Sequence, residues 1–314
     1  MQYYQEAIAL GSKTGISLVS RASKAQIEVL YKTLWREIFI FERKFSRFLP
    51  GSELSIFNSN AGSKQNITPE FKKLLITAKK LAEDTDGLYN PFILPALQAS
   101  GYLSSRVPGH EHDAVNDFSK RSYTTIERLE IGNDWAKIPY DTALDLGGCG
   151  KGYLADQLRS LLTKKITGYW LSFGGDIAVG GLDEQGRKWT IGIQSAVDQN
   201  KNRASLSIDS ASGVATSGVT VHQGKKNGKE WHHLIDPKTS QPAITDVLLA
   251  TVYADTSLMA DVLASCAVIL GSRKAMPFLK KHGAKAAFLQ CRSASQQPSN
   301  IYFGNAIIMG NSNA

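Results

Sequence analysis

The order of elements along the chain predicts an α+β fold. Three observations carry that reading: an amphipathic helix near the N-terminus, a run of short strands and turns through the second half, and one strongly apolar helix late in the chain. The order is mixed rather than strictly βα-alternating, which argues against a purely parallel sheet. No internal repeat or low-complexity linker interrupts it, so residues 1–314 read as a single domain with a flexible polar tail after about residue 304.

Each element has a local cause. Ala7 to Val19 predicts a short strand, a turn at Gly11-Ser12 and a second strand at Ile16 to Val19. From about Ala25 to Phe45, the apolar residues Ile27, Leu30, Leu34, Ile38 and Ile40 recur at helical spacing. Thr68 is a good N-cap and Pro69 suits the first helical position, so a second helix runs from there to the Asp86-Gly87 break. Val107 to Asn116 is polar and predicts a loop, with strands at Tyr123 to Ile131 and Ala136 to Ile138. A helix after Gly150 carries Tyr153, Leu154, Leu158, Leu161 and Leu162. Strands alternate with turns from Gly168 to about Ile244, an apolar helix spans Ser257 to Leu270, and Ala286 to Met309 reads as strand followed by tail.

Composition narrows the class. With 42% hydrophobic and 20% charged residues the chain can bury a sizeable core. No stretch approaches the roughly 20 apolar residues of a membrane span. The N-terminus lacks a basic leader followed by an apolar block, and no cysteine there could carry a lipid, so neither a signal peptide nor a membrane anchor is expected. Cys149, Cys266 and Cys291 are too few and too scattered for a disulfide scaffold or a zinc site, which makes the cytoplasm the default compartment. The net charge is +8 and the pI about 9.2, but the basic residues fall in short groups such as Lys164-Lys165 and Lys225-Lys226. Without a basic stripe interleaved with aromatics, a surface that attracts small polyanions is the simpler reading than a nucleic-acid binder.

Three segments carry chemistry. Asp145-Leu-Gly-Gly-Cys-Gly-Lys-Gly-Tyr153 joins an apolar strand end to a helix, where glycines admit a ligand to the backbone and free N–H groups suit a phosphate. It matches neither the P-loop nor the dinucleotide fingerprint, and a plain tight turn explains it equally well. His232-His233-Leu-Ile-Asp236-Pro237 could set a general base beside a ligand loop, although adjacent strand residues point to opposite faces and His232 alone suits packing. Asp261, Ala264 and Ser265 stand at i, i+3 and i+4, so a carboxylate, a carbonyl and a hydroxyl share one helix face, the donor set of a hard cation. The competing reading is an aspartate stabilised by the helix dipole in the first turn.

Together these strings resemble one family. Phe45-Ser-Arg-Phe48, Ser52 to Asn58, Asp86-Gly-Leu-Tyr-Asn-Pro91, the Asp145 to Tyr153 loop, Leu171 to Asp176, Trp189 to Gln194, Thr216-Ser-Gly218, His233 to Thr239 and Asp261 to Ser265 follow one another as in the ApbE family of FAD:protein FMN transferases. The resemblance runs from about Leu10 to beyond Gly271. It implies a single T-fold-related unit of mixed, largely antiparallel sheets with flanking helices and a cleft for FAD. It implies Mg²⁺ held by Gly148, Asp261, Ala264 and Ser265. FAD would meet Asp145, Lys151, Phe48, Leu10 and Ile235, with Leu88, Tyr89 and Asn90 at the adenine or ribose. His233 would act as base, held by Asp236 or a neighbouring carbonyl. The reaction implied is transfer of FMN to a Thr or Ser hydroxyl of an acceptor flavoprotein with release of AMP.

The sequence departs from the family pattern at named places. Asn90 stands where an aspartate is usual, Ser265 replaces threonine, and Val219 to Gly224 replaces aromatic and arginine residues. Two alternatives to transfer follow: Mg²⁺-dependent hydrolysis of FAD to FMN and AMP, or binding of FAD without turnover.

Overall fold

Seven α-helices form among the residues the structure describes, which are 1–105, 116–226, 228–294 and 297–309 of this computed structural model. They are α1 (Lys24–Phe45), α2 (Glu53–Ser59), α3 (Pro69–Asp84), α4 (Leu94–Ser100), α5 (Gly147–Ser160), α6 (Ser257–Leu270) and α7 (Ser272–Lys281). The periodic segments of the sequence thus become α1, α3, α5 and α6, although α5 starts at Gly147, inside the glycine segment, and ends at Ser160, before Leu161 and Leu162. At α3 the Thr68 hydroxyl accepts from Phe71 N–H with Pro69 in the first turn, as the capping signal requires. The loop expected at Val107 to Asn116 lies, apart from Asn116, outside the described residues.

The chain groups into two compact units. Unit one comprises Met1–Ile38, Lys151–Thr220 and Thr245–Ala314; unit two comprises Phe39–Gly150 and Val221–Ile244. Unit one is built on an eight-stranded sheet whose spatial order is also its chain order: Gln2–Ala9, Ser12–Ser20, Ile166–Phe173, Asp176–Gly181, Ser212–Gly218, Val247–Ala254, Ala286–Cys291 and Ser299–Phe303. Every pairing in it is antiparallel. A second sheet of Ile307–Met309, Asn202–Ile208 and Trp189–Gln194 covers one face. Between the two sheets lies a core of Val179, Trp189, Leu206, Val214, Tyr253 and Phe288.

Unit two is assembled from smaller parts. Phe41, Phe45, Phe57 and Phe71 interlock edge-on or tilted at centroid distances of 4.9–5.5 Å. A three-stranded sheet (Gln65–Asn66, Trp135–Lys137, Glu130–Ile131) and two hairpins complete the unit, one joining Gln223–Lys226 to Lys229–His232 and the other Ile235–Asp236 to Gln241–Pro242.

The structure corrects three further local expectations. The first hairpin turns at Leu10-Gly11, not Gly11-Ser12, because both residues take positive φ (54° and 63°), the two-residue geometry that matches strand twist. Tyr123 to Ile131 is not one strand: Arg128 and Leu129 donate locally to Thr125 and Ile126, so Ile126–Arg128 closes into a 3₁₀ turn and only Glu130–Ile131 pairs. The segment after Cys291 continues as two paired strands through Met309, with Ile307 packed on the core.

Strand alternation positions α6. Val214 points into the core between the sheets, so Gly213, Ala215 and Ser217 face the other way, where α6 lies. A Cβ at Gly213 would fall 2.1 Å from Ser257 N and 2.3 Å from Ser257 Cα, so only glycine lets the start of α6 rest on the strand. Gly213→Ala is expected to lower the unfolding free energy by about 1–3 kcal/mol, read as a lower urea midpoint at unchanged slope. Gly51→Ala, where a Cβ meets nothing within 4 Å, serves as control, and equal midpoints in the two variants would refute the packing argument.

Candidate active site

In unit one the site is built where α5 meets α6. Gly152 N–H donates to Asp261 Oδ2 at 3.3 Å. A Cβ on Gly152 would lie 2.7 Å from Leu258 Cα, so the glycine is what allows the two helices to touch. Asp261 is buried and stands one full turn inside α6, beyond the reach of a first-turn dipole effect. Ala264 lies on the same face and is fully buried. Ser265, half-buried one turn further on, shares a 2.9 Å hydrogen bond with Ser217 of the adjoining strand.

Charge accumulates at this point. Burial pushes the Asp176 carboxyl up to about 6 despite the opposing pull of the Lys151 ammonium. Asp261 is raised well above the usual carboxylate range, first by burial and then by Asp176, against the pull of Lys151 and the Gly152 N–H. Lys151 reaches the turn Gly174-Gly175, where a Cβ on Gly174 would sit 3.1 Å from its Nζ and 2.8 Å from Ser12 Cβ. The Leu10-Gly11 hairpin turn, which precedes Ser12, is therefore beside the same glycine turn. Gly174 and Gly175 take φ of +67° and +106°, and a Cβ at Gly175 would meet nothing within 4 Å, which leaves open space over that turn.

Unit two holds the other group of expected residues. Asp145 accepts from Gly147 N–H with Oδ1 (2.7 Å) and pairs with Arg47 Nε through Oδ2 (2.8 Å), the two side chains being 11% and 6% exposed. The Arg47 guanidinium stacks over Phe48 at 4.1 Å and Tyr102 at 4.7 Å. Tyr102 in turn lies 6.3 Å from the His233 ring, 5.6 Å from His222 and 6.0 Å from Trp231, and the two imidazoles meet edge-on at 5.2 Å. Asp145, Phe48 and His233 thus belong to one continuous cluster.

The remaining expected residues sit around scaffold turns of unit two. Leu88 follows the Asp86-Gly87 turn, both residues of which take positive φ. Tyr89 lies along Gly148, its ring 3.5 Å from where a Cβ would be. Asn90 donates to Tyr123 Oη (2.6 Å) and Thr124 O (3.0 Å) and accepts from Phe92 N–H (2.9 Å). An aspartate could not make the two donations, which gives this departure from the family pattern a local cause. Ile235 is buried against Ala96 and Leu97. Asp236 accepts from Lys238 N–H at 2.9 Å and shapes the turn after His233, whose ring contacts here are with His222 and Tyr102. His232 bonds the Ala243 carbonyl at 3.0 Å, the packing role that alternation suggested.

Several residues of the clusters escaped sequence reasoning. Asp176 had a signal, the Gly-Gly turn before it; Ser217 followed Thr216 in a quoted string but had no assigned task. Arg47, Tyr102, His222 and Trp231 have no local pattern that singles them out, because the stacking that unites them is long-range.

The comparisons with known proteins agree with this architecture. A sequence model of the ApbE family matches residues 10–289. The chain is 25% identical over 286 residues to the FAD:protein FMN transferase of Salmonella typhimurium (strain LT2), covering 88% of this chain and 81% of that protein. It is 26% identical over 306 residues to the FAD:protein FMN transferase of Treponema pallidum (strain Nichols), covering 92% and 84%. Among solved structures, the apo form of the flavinyl transferase ApbE of Pseudomonas stutzeri superposes with a TM-score of 0.80 at 23% identity, covering 98% of this chain and 95% of that one. The flavin transferase ApbE of Vibrio cholerae gives 0.79 at 22% identity, covering 98% of each. At such identities the structures speak for the fold. The family follows from the match across residues 10–289: this chain belongs to the ApbE family.

Proposed function

We propose that the chain transfers the FMN half of FAD to a Thr or Ser hydroxyl of an acceptor flavoprotein and releases AMP, with Mg²⁺ at the α5–α6 contact. The observation that carries the reading is the buried pair Asp176 and Asp261 with Lys151 as the ammonium acting on both. Two desolvated carboxylates against one ammonium leave a negative excess that a hard cation offsets. The relatives from Salmonella and Treponema carry the name of this transferase, and the matched stretch covers every site residue discussed. That continuity supports reading the chain as one functional domain.

The residues present fit the ion. Asp261 is buried with one long hydrogen bond, and burial and Asp176 raise its proton affinity, an environment that a bound cation would relieve. Ser265 Oγ shares one hydrogen bond and keeps lone-pair capacity, and carbonyl oxygens have a second lone pair beyond the helical ladder. The ligand set proposed is a mixed oxygen one, of carboxylate, hydroxyl and carbonyl oxygens. Asp261, Ser265 and the carbonyls of Ala264 and Gly148 would hold the ion. When bound, it neutralises diphosphate charge and stabilises the departing AMP oxygen.

The chain's own residues supply orientation and proton transfer. Lys151 beside the open glycine turn attracts the diphosphate, and Asp145 with Phe48, Leu10 and Ile235 orients FAD. Leu88, Tyr89 and Asn90 line the adenine or ribose end. The acceptor hydroxyl oxygen forms a bond to the FMN-side phosphorus as the bond from that phosphorus to the AMP oxygen breaks. His233 takes the hydroxyl proton from the bend between the strands Lys229–His232 and Ile235–Asp236, its N–H bonded to the His222 carbonyl and Asp236 opening the turn that follows. Among the described residues no helix is long and apolar enough to cross a membrane, and we place the reaction in the cytoplasm, with the basic surface serving phosphate-rich small molecules rather than nucleic acid.

Four outcomes are expected. Incubation with FAD, Mg²⁺ and an acceptor domain should give a fluorescent protein band that survives denaturation. Asp261→Ala should lower its rate of formation by roughly 100-fold or more. An unchanged rate and metal requirement would sink the reading, and FMN with AMP formed in the absence of acceptor would favour hydrolysis. His233→Asn should reduce kcat by about 10²–10⁴-fold with FAD affinity kept; a loss confined to FAD affinity would remove His233 from the proton transfer. Finally, a carboxyl raised to about 6 in the fold favours the native state below its unfolded value of 3.8 and loses that advantage as pH rises through 6. Metal-free Asp176→Asn should therefore gain stability over the parent at pH 8 but not at pH 3.5, as thermal unfolding at the two pH values would report.

A further inference from the structure

We infer that Asp156 is a positioning residue for the metal-ligand helix, tying α6 to α5 so that Asp261 and Ser265 stand in coordinating register. The inference rests on the reading that those two residues hold a divalent cation. Asp156 follows Gly152 by four residues, so both occupy one face of α5. Its Oδ1 accepts from Ser257 N–H at 3.1 Å and its Oδ2 from Leu258 N–H at 2.9 Å, the first two amides of α6. Gly152 presses against the same two residues and bonds Asp261 directly. One face of α5 therefore grips α6 by backbone contact, by a two-pronged carboxylate and by the ligand's own oxygen.

The double bond to Asp156 is not needed merely to begin the helix. Thr256 already caps α6, its hydroxyl accepting from Met259 N–H at 3.1 Å. What Asp156 adds is an anchor from another helix. A carboxylate suits the task because both oxygens accept; an amide would turn an NH₂ toward one of the two donors. Mg²⁺ demands near-ideal octahedral geometry, so a small slip of α6 along α5 is enough to spoil a site whose ligands lie one and two turns from the anchor.

The test uses the full chain with FAD present and Mn²⁺ as probe, free Mn²⁺ being read by electron paramagnetic resonance and folding by circular dichroism. Asp156→Asn is expected to weaken Mn²⁺ binding by about tenfold or more, whereas Thr256→Ala, which removes the helix's own cap and a side-chain bond to Asp156 but keeps both amide bonds of the Asp156 carboxylate, leaves it within about threefold. A folded Asp156→Asn protein with parental Mn²⁺ affinity overturns the inference. So does an equal loss in Thr256→Ala, since weakened capping would then suffice. If Asp156→Asn does not fold, Asp156→Glu replaces it: its carboxylate is one methylene out of place and should show the same weakening, parental affinity again being the contrary result. Absence of Mn²⁺ binding by the parent, matched by Asp261→Ala, would overturn the ion site itself and this inference with it; parental binding lost in Asp261→Ala but kept in the Asp156 variants overturns the positioning role alone.

Discussion

At Gly152 the backbone of α5 comes against Ser257 and Leu258 too closely for any side chain to stand between, and the same residue's N–H reaches the Asp261 carboxylate. This approach determines where the charges of unit one are found. It puts Lys151 on the neighbouring position of α5 and Asp261 on the facing turn of α6, while Gly213 brings the start of α6 onto the sheet. Glycine at 152 and 213 is thus a packing requirement, and the burial that raises Asp261 is its electrostatic consequence.

Unit two shows the opposite treatment of a buried charge. Asp145 has both oxygens engaged, one by its own turn and one by Arg47, and the guanidinium lies over the Phe48 and Tyr102 rings. Such a bidentately satisfied anion is a fixed element of the scaffold. It orients Phe48 and Tyr102, and through Tyr102 the imidazole of His233. Asp145 is thus held by partners of its own unit, whereas Asp261 has one long hydrogen bond and a second buried carboxylate, Asp176, acting on it.

Much of this was legible in the residues themselves. The bounds of α6 coincide with the predicted Ser257 to Leu270, and α1 and α3 begin at their periodic or capped starts, because helical periodicity and N-capping are local properties. The Asp261, Ala264 and Ser265 face could be read for the same reason. Tyr123 to Ile131 misled because apolar content without strict alternation fits a 3₁₀ turn as well as a strand, and the tail misled because strand partners lie far away in the chain. Asp176 and Arg47 become meaningful only after folding brings a second charge or ring beside them. The family resemblance supplied roles that no spacing could, and the stacked cluster around Tyr102 supplied neighbours that the resemblance had not assigned.

The eight strands of unit one follow one another in space as they do in sequence, yet the chain leaves the sheet for a long excursion between Ser20 and Ile166. Val19 and Phe288 share one core, so the sheet interior cannot close during synthesis until the last quarter of the chain has emerged. The N-terminal hairpin, made before unit two's segment 39–150, therefore waits for its neighbour Ile166–Phe173 until that segment has emerged. Closure of this sheet's interior is consequently a late step, set by the strands from Ala286 onward.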